Sequence, residues 1–272
     1  MINLSVIKYL IFIGLLSIIS VAKGQGWSID STFKHVLVNH IEVDPLGNLY
    51  TVTKDGQITK FKDIGQPWYT YTNNRFGLLS EFDAGNPFLL LAYYAQYQIV
   101  VLLDNTLSET GRIQFGNIGL GNIRAVTLSD DNNIWVLDEE GRRVLKIGTD
   151  GRMILEGVPY MGFSFDSNKD IRIIQRGRYL YVIQPDSPIQ VFDFFGKWVK
   201  QIDLEGLQTV VFIDDNIYYT VKGYLKTYNI AYPGMESDQE WPLDDFKLIR
   251  FDAVHRKLIG VDDAFRIGFL IM

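Results

Sequence analysis

The chain has 272 residues, of which 47% are hydrophobic and 14% aromatic, with a net charge of −6 and no cysteine. Its acidity argues against nucleic acid or anionic lipid as the main partner, because both bind basic surfaces. The absence of cysteine excludes disulfides, thiolate metal sites and cysteine nucleophiles, so stability must come from a packed apolar core.

The N-terminal segment predicts export. Lys8 precedes an apolar run from Tyr9 to Ala22, and small residues follow before Gln25. The run is too short to span a bilayer comfortably and is typical of a signal peptide. We predict a signal peptide over residues 1–24 and a single domain over residues 25–272. An N-terminal membrane anchor is the alternative interpretation. No later stretch is long enough for a transmembrane span, so none is predicted in the mature chain.

A repeated order of turns and strands begins at VDPLGNLYTVTKDGQITKF, residues 43–61. A turn at Asp44–Asn48 is followed by a β-favouring run at 49–53, an Asp-Gly turn and a second run at 58–61. Asp-Gly between two such runs is a strong hairpin signal, because glycine accepts the positive φ that the turn requires. The same order returns from residues 86, 128, 174, 213 and 252.

The repeats have a regular period. One apolar or aromatic residue in each second strand serves as a marker, and these are Tyr50, Leu91, Trp135, Tyr181, Tyr218 and Ile259. A period of about 42 residues with four short strands is typical of a β-propeller blade. We therefore predict an all-β, six-bladed β-propeller. A β-sandwich or a single barrel is the alternative, but the fixed order of two unlike turns argues against both.

The ends of the domain predict how the ring closes. The last repeat stops before its own outer strand, whereas the segment before the first repeat holds more strand than blade one needs. Residues around Trp27 to Phe33 should complete the last blade, which leaves no long open edge. The turns into the outermost strands are predicted at Gly65, Gly151, Gly196 and Gly234. Gly111 comes later in its repeat, which predicts a longer outer hairpin in blade two.

The motif DPLGNLY, with Asp44, Gly47, Asn48, Leu49 and Tyr50, is followed by the strand ITKF. This combination resembles the six-bladed propellers of the NHL and SMP-30-like type. Together with LDNTLSE and VFDFFG, it also resembles uncharacterised exported propellers of Bacteroidota. Such propellers include both enzymes and binding modules, so the resemblance does not decide function.

The resemblance to lactonase-like enzymes implies a calcium ion in the central channel, bound by oxygen ligands. The candidate ligands are Glu42, Asp83, Asp166, Asp214 and Asp252. The repeat favours another interpretation, in which these acids cap backbone amides at turns. The three histidines, His35, His40 and His255, do not form a zinc-binding pattern.

Two aromatic segments are not required by the repeat. The first is QPWYTYTNNRFG at 66–77, and the second is AYYAQYQ in the turn region of blade two. Tryptophan, tyrosine and arginine are over-represented in binding hot spots. One half of an outer strand here should pack between blades and leave the other half for binding. The candidate binding residues are Trp68, Tyr69, Tyr71, Arg75, Phe76, Tyr93, Tyr94 and Tyr97.

The sequence therefore predicts a non-enzymatic protein-binding module with no cofactor, located in the periplasm or at the outer membrane. The resemblance to Bacteroidota propellers implies a partner in an outer-membrane complex, for example as a plug-like subunit of the type IX secretion translocon. A calcium-dependent hydrolase and a glycan-binding module are the alternatives.

Overall fold

The computed structural model describes residues 28–29, 38–63, 66–162, 166, 168–234, 241–243, 246–262 and 267–271. In this part of the chain, the strands form six antiparallel sheets of four strands each. The predicted signal peptide lies outside the described residues.

Each of the first three sheets is one continuous stretch of chain. Blade one consists of β2 (Val38–Val43), β3 (Leu49–Thr53), β4 (Ile58–Asp63) and β5 (Gln66–Tyr71). Blade two consists of β6 (Glu81–Asn86), β7 (Leu89–Tyr94), β8 (Ile99–Leu103) and β9 (Glu109–Gln114). Blade three consists of β10 (Ile123–Leu128), β11 (Ile134–Asp138), β12 (Arg143–Ile147) and β13 (Met153–Glu156).

The remaining sheets follow the same plan until the last. Blade four consists of β14 (Arg172–Arg176), β15 (Tyr179–Ile183), β16 (Ile189–Asp193) and β17 (Trp198–Ile202). Blade five consists of β18 (Val210–Ile213), β19 (Asn216–Val221), β20 (Tyr224–Asn229) and β21 (Trp241–Pro242). Blade six consists of β22 (Phe246–Asp252), β23 (Lys257–Asp262), β24 (Ile267–Ile271) and the N-terminal β1 (Ser28–Ile29).

The sequence pattern sets the position of each strand within its blade. The middle strands β7 (LLLAYY) and β8 (IVVLL) are almost entirely buried, because a blade is covered by a neighbour on both faces. The outermost strands β5 and β13 are mostly exposed or half-buried. All six predicted markers lie on the second strand of a blade, which confirms the phase of the repeat.

Apolar side chains join the blades into a ring. Among the described residues, six buried clusters lie between successive blades, and one of them joins blade six to blade one. Between blades one and two, the rings of Tyr50 and Phe82 lie with their centroids 5.5 Å apart. The first strand of blade one, β2, contacts β6 of blade two and β22 of blade six. The molecule is a six-bladed β-propeller, and the first strands surround its centre.

The N-terminal strand closes the ring. β1 pairs with β24 in an antiparallel arrangement, with Ser28 opposite Phe269. The hydroxyl of Ser28 also donates to the carbonyl oxygen of Phe269 at 3.2 Å. The predicted closure of the last blade is therefore confirmed for Ser28 and Ile29. Trp27 and residues 30–33 lie outside the described residues.

The turns into the outer strands follow the prediction with one exception. Gly151 and Gly196 occupy these turns with φ of +82° and +74°, and Gly234 lies in the connection to β21. Gly65 lies outside the described residues. The longer hairpin predicted from Gly111 is wrong, because Gly111 lies inside β9 and the turn before it spans 104–108. There Leu107 adopts φ +62°, and its buried side chain packs between blades one and two.

Candidate functional site

A cluster of charged side chains crosses the central channel. His40 and Glu42 alternate with the buried Ile41 on β2, so both project toward the channel while Ile41 packs between blades. Arg172 enters from β14 in blade four, and Arg250 from β22 in blade six. Since blades one and four are opposite each other in a six-bladed ring, the cluster joins opposite walls of the channel.

One carboxylate oxygen is the centre of this cluster. Oε1 of Glu42 accepts from Arg172 Nη2 at 2.9 Å and from Arg250 Nε at 2.8 Å. His40 Nε2 lies 2.9 Å from the same oxygen. An ionised carboxylate can only accept, so Nε2 carries the proton of the imidazole. Burial alone would raise the pKa of Glu42, but Arg250, Arg172 and His40 outweigh it and hold that pKa well below its ordinary value.

A second buried carboxyl lies beside the cluster with weaker support. Oε1 of Glu81 is 3.7 Å from Arg172 Nε, which is too long for a good hydrogen bond. Oε2 of Glu81 accepts from the backbone N–H of Val126 at 3.3 Å. Burial raises the pKa of Glu81 to about 8, and the attraction of Arg172 only partly offsets it. Glu42 and Glu81 therefore carry different charges at neutral pH.

The remaining groups of the cluster also respond to burial. Burial lowers the pKa of His40, which keeps its imidazole neutral near pH 7. Burial, together with repulsion from Arg172, lowers the pKa of Arg250 to about 10, so this guanidinium stays charged. Arg172 Nε is buried and has no hydrogen-bond partner among the described residues.

The cluster divides the channel into two cavities. The narrow cavity has a volume of 220 Å³ and is lined by His40, Glu81, Arg172 and Arg250, with loop residues such as Gln208 at its mouth. The wide cavity has a volume of 640 Å³ and opens at the opposite end, among the turns between the first and second strands. Glu81, Arg172 and Arg250 line both cavities, so these side chains form the partition between them.

The five predicted calcium ligands are not brought together. Of these acids, only Glu42 and Asp83 line the wide cavity. Asp83 Oδ1 accepts from the N–H of Gly85, and Oδ2 accepts from the hydroxyl of Thr127 and the N–H of Leu128, both at 2.7 Å. Burial raises the pKa of Asp83 despite these bonds.

The other three predicted ligands lie in turns or connections. Asp252 Oδ1 accepts from the N–H groups of Val254 and His255 at 3.1 and 3.0 Å. Asp166 Oδ1 accepts from the N–H of Asn168 at 3.0 Å, and Asp214 adopts φ +51° in the first turn of blade five. Amide capping thus accounts for Asp166 and Asp252. Within the described residues, no three histidine or acidic side chains are placed to hold a metal ion.

The predicted aromatic binding surface is wrong for three of its members. Phe76, Tyr93 and Tyr94 are buried, because Tyr93 and Tyr94 belong to the middle strand β7 rather than to a turn. Phe76 packs edge-on against Tyr94, with the guanidinium of Arg112 4.7 Å from the centre of its ring. Phe76 and Tyr94 stabilise the joint between blades one and two, whereas Tyr93 packs between blades two and three.

The other candidates are at least partly accessible. Trp68 is 47% exposed on β5, at a bulge that brings its ring within 4.8 Å of Tyr69. Tyr69 and Tyr71 are half-buried against the cluster between blades one and two. Arg75 is exposed, and Tyr97 is 51% exposed at the far end of blade two. A binding role for these five residues stays a prediction.

Sequence reasoning missed Glu81, Arg172 and Arg250. Each is a charged residue next to a buried apolar residue on the first strand of its blade, and such residues are seldom buried without a partner. This signal was available in the segments EFDA, IRIIQR and LIRFD. Sequence reasoning also missed the large apolar side chains at the tips of the turns, where the backbone conformation does not require an apolar residue.

The comparisons with known proteins support the fold. No protein-family model matches the sequence, and no curated protein matches it. Among solved structures, the β-propeller domain of Cps50 (Swd1) from Myceliophteria thermophila has a TM-score of 0.61 at 10% identity, over 91% of this chain and 100% of that chain. The WD40 domain of Neurospora crassa Pan2 has a TM-score of 0.60 at 13% identity, over 90% of this chain and 81% of that chain.

A bacterial enzyme is similar to the same degree. A catalytically inactive virginiamycin B lyase from Staphylococcus aureus, solved with quinupristin, has a TM-score of 0.63 at 12% identity. The match covers 91% of this chain and 98% of that chain. At these identities the likeness establishes the β-propeller fold alone. None of the helices in the described part of the chain has the length and apolar composition of a transmembrane segment.

Proposed function

We propose that this chain is an exported, protein-binding β-propeller that docks its partner on the turn face. The turn face is formed by the connections between the first and second strands of the blades, at residues 44–48, 87–88, 129–133, 177–178, 214–215 and 253–256. The observation that carries the proposal is the exposure of large apolar side chains at three of these tips. Leu46 is 58% exposed, Phe88 68% and Val254 52%.

These three side chains belong to consecutive blades. Val254 is in blade six, Leu46 in blade one and Phe88 in blade two. The turns of blades six and one touch, because a Cβ added at Gly47 would lie 3.2 Å from the Cβ of Val254. The three tips therefore form an apolar arc beside the mouth of the wide cavity. Exposed apolar side chains grouped in this way are characteristic of interaction surfaces.

The backbone of each tip is fixed by the same hydrogen bond, in which a backbone N–H donates to the side chain two residues earlier. The N–H of Leu46 donates to Asp44 Oδ1 at 2.9 Å, and the N–H of Val254 donates to Asp252 Oδ1 at 3.1 Å. The N–H of Phe88 donates to Asn86 Oδ1 at 2.8 Å. A fixed backbone lowers the conformational entropy lost on binding, which favours these tips as anchors.

Charged residues next to the arc suggest the chemistry of the partner. Asp130, Asp214 and Asp215 are exposed in the first turns of blades three and five. Arg256 is exposed in the turn of blade six, so a complementary surface would carry an apolar patch with basic side chains opposite blades three and five and an acidic group opposite Arg256. Support for a periplasmic or outer-membrane location comes from the predicted signal peptide. Support for an outer-membrane machine such as the type IX translocon comes from the resemblance to exported Bacteroidota propellers.

A crosslinking experiment tests the proposal. A photoreactive amino acid is placed in turn at Leu46, Phe88 and Val254, and at Val199 on the outer strand β17 as the control. Val199 is also apolar and exposed, but it lies away from the turn face. We expect one envelope protein to crosslink from all three arc positions and not from Val199. The Phe88→Ser change should reduce its recovery by about tenfold. Equal crosslinking from Val199, or none from the arc, would overturn the proposal.

Glycan binding is a second candidate, favoured by one observation. The exposed ring of Trp68 stacks with Tyr69 at an interplanar angle of 27°, and Asn73 Nδ2 donates to the hydroxyl of the nearby Tyr71. An exposed aromatic face bordered by amide groups suits the apolar face and hydroxyls of a sugar ring. This candidate predicts that Trp68→Ala abolishes binding on a glycan array while Tyr97→Ala does not.

A further inference from the structure

The narrow cavity has a floor made of two guanidinium groups. Arg172 and Arg250 both bind Oε1 of Glu42, so two positive charges share a single carboxylate oxygen. Arg172 Nε is buried, and no described residue satisfies it with a hydrogen bond. Both guanidinium groups line the narrow cavity, so an anion bound there would share them with Glu42 through charge-assisted hydrogen bonds. We infer that the narrow cavity binds a small molecule with a carboxylate at one end and an apolar body.

The walls of the narrow cavity favour an amphipathic ligand. Apolar side chains line part of it, and these are Val52, Leu79, Phe82, Ile183, Pro185 and Val210. Polar side chains that include Asn39, Ser80 and Thr209 complete the lining. A cavity lined by both apolar and polar side chains suits a ligand with an apolar body and a charged end.

The size of the cavity limits the ligand. Its 220 Å³ corresponds to roughly seven water molecules at about 30 Å³ each. A benzoate or a short fatty acid fits this space, whereas a dinucleotide does not. The guanidinium group suits a carboxylate because its N–H groups lie in one plane and match two oxygens at once.

The charge distribution selects the narrow cavity over the wide one. The wide cavity is lined by Glu42, Asp44, Asp83 and Asp130 in addition to the arginines. The narrow cavity has Asp170 and Glu81 as its acids, and Asp170 is exposed at the rim. Because burial raises the pKa of Glu81 to about 8, its neutral carboxyl can donate to a bound carboxylate near pH 7. An anion is therefore attracted to the floor from the narrow side.

Calorimetry with matched ligands tests the inference. The probes are carboxylates from acetate to phenylpropionate, the corresponding primary amides, and inorganic phosphate, all at pH 7 with the full mature chain. We expect at least one carboxylate to bind about tenfold more tightly than its amide. No carboxylate binding at about 10 mM, or equal binding of the amide, would exclude the site. If phosphate binds more tightly than any carboxylate, the inference that the ligand carries a carboxylate is wrong.

Variants locate the binding at the arginine floor. Arg172→Met should weaken carboxylate binding by about tenfold or more, whereas Arg152→Met should leave it unchanged. Arg152 is an exposed arginine on blade three, away from the channel. Circular dichroism checks that each variant folds. If Arg172→Met does not fold, Arg172→Lys retains the charge but loses the planar group, and the same loss is expected. Unchanged binding in Arg172→Met or Arg172→Lys, or an equal loss in Arg152→Met, would contradict the inference.

Discussion

Two glutamates in one channel show how neighbouring groups decide the charge of a side chain. Glu42 receives two guanidinium hydrogen bonds and one from imidazole, so its ionised form is stabilised. Glu81 lies beside the same Arg172 but receives one backbone hydrogen bond and a distant guanidinium. Burial therefore dominates for Glu81 and partner charges dominate for Glu42.

The raised pKa of Glu81 predicts that the free energy of unfolding depends on pH. Between the ordinary carboxyl pKa and about pH 8, folded Glu81 holds a proton that the unfolded chain releases. Stability must fall as pH rises through this window, because the native state binds more protons than the unfolded state. Glu81→Gln removes this dependence. From pH 5 to 8.5, we expect wild type to lose roughly 2 kcal/mol or more relative to Glu81→Gln.

Urea denaturation at each pH measures this difference. Glu140→Gln serves as the matched control, because Glu140 is exposed in a turn of blade three. That control should follow the wild-type pH profile. If Glu81→Gln and wild type lose the same free energy of unfolding over this range, the buried carboxyl of Glu81 does not titrate as described.

At the scale of the element, the recurring aspartate turns are the best-predicted feature. Asp44, Asp104 and Asp193 each accept two backbone N–H groups, from the residues two and four positions later. For Asp44 and Asp193, the glycine three residues later predicts this geometry, because the contacts are local. The sequence did not predict that Leu107 adopts a left-handed backbone conformation, which usually requires glycine. Packing of its side chain against another blade supports this conformation, and such a contact is not local in the sequence.

The aspartate turns should differ in their contribution to stability. Asp44 is buried, and its Oδ2 also accepts from Asn48 Nδ2 and the hydroxyl of Tyr50. Asp193 is half-buried, and its contacts are to backbone N–H groups. Asp44→Ala leaves the buried hydroxyl of Tyr50 unpaired and should cost about 3 kcal/mol, whereas Asp193→Ala should cost about 1 kcal/mol. Urea denaturation compares them, and equal losses would refute the ranking.

At the scale of the molecule, ring closure creates the candidate site. Glu42 is separated from Arg172 by 130 residues and from Arg250 by 208. A periodic sequence predicts that these residues lie on first strands, but it does not predict which channel-facing side chains meet. That depends on the blade positions around the ring and on side-chain length. The fold was predictable because it repeats, whereas the cluster was not because it occurs once.

Closure of the ring by the short strand β1 predicts that removing β1 lowers the melting temperature. A protein that begins at residue 31 lacks β1, so the outer edge of β24 loses its partner. Unpaired strand edges are sites for association with other chains. Relative to a protein that begins at Gln25, we expect a melting temperature lower by about 5 °C.

The shortened protein should also self-associate, which size-exclusion chromatography with light scattering detects. The matched control begins at Gln25 and retains β1, so it should remain in the state of the mature chain. Association in the shortened protein alone would show that β1 protects the edge of Ile267–Ile271. Equal melting temperatures and equal masses would instead mean that clusters between blades hold the ring closed without β1.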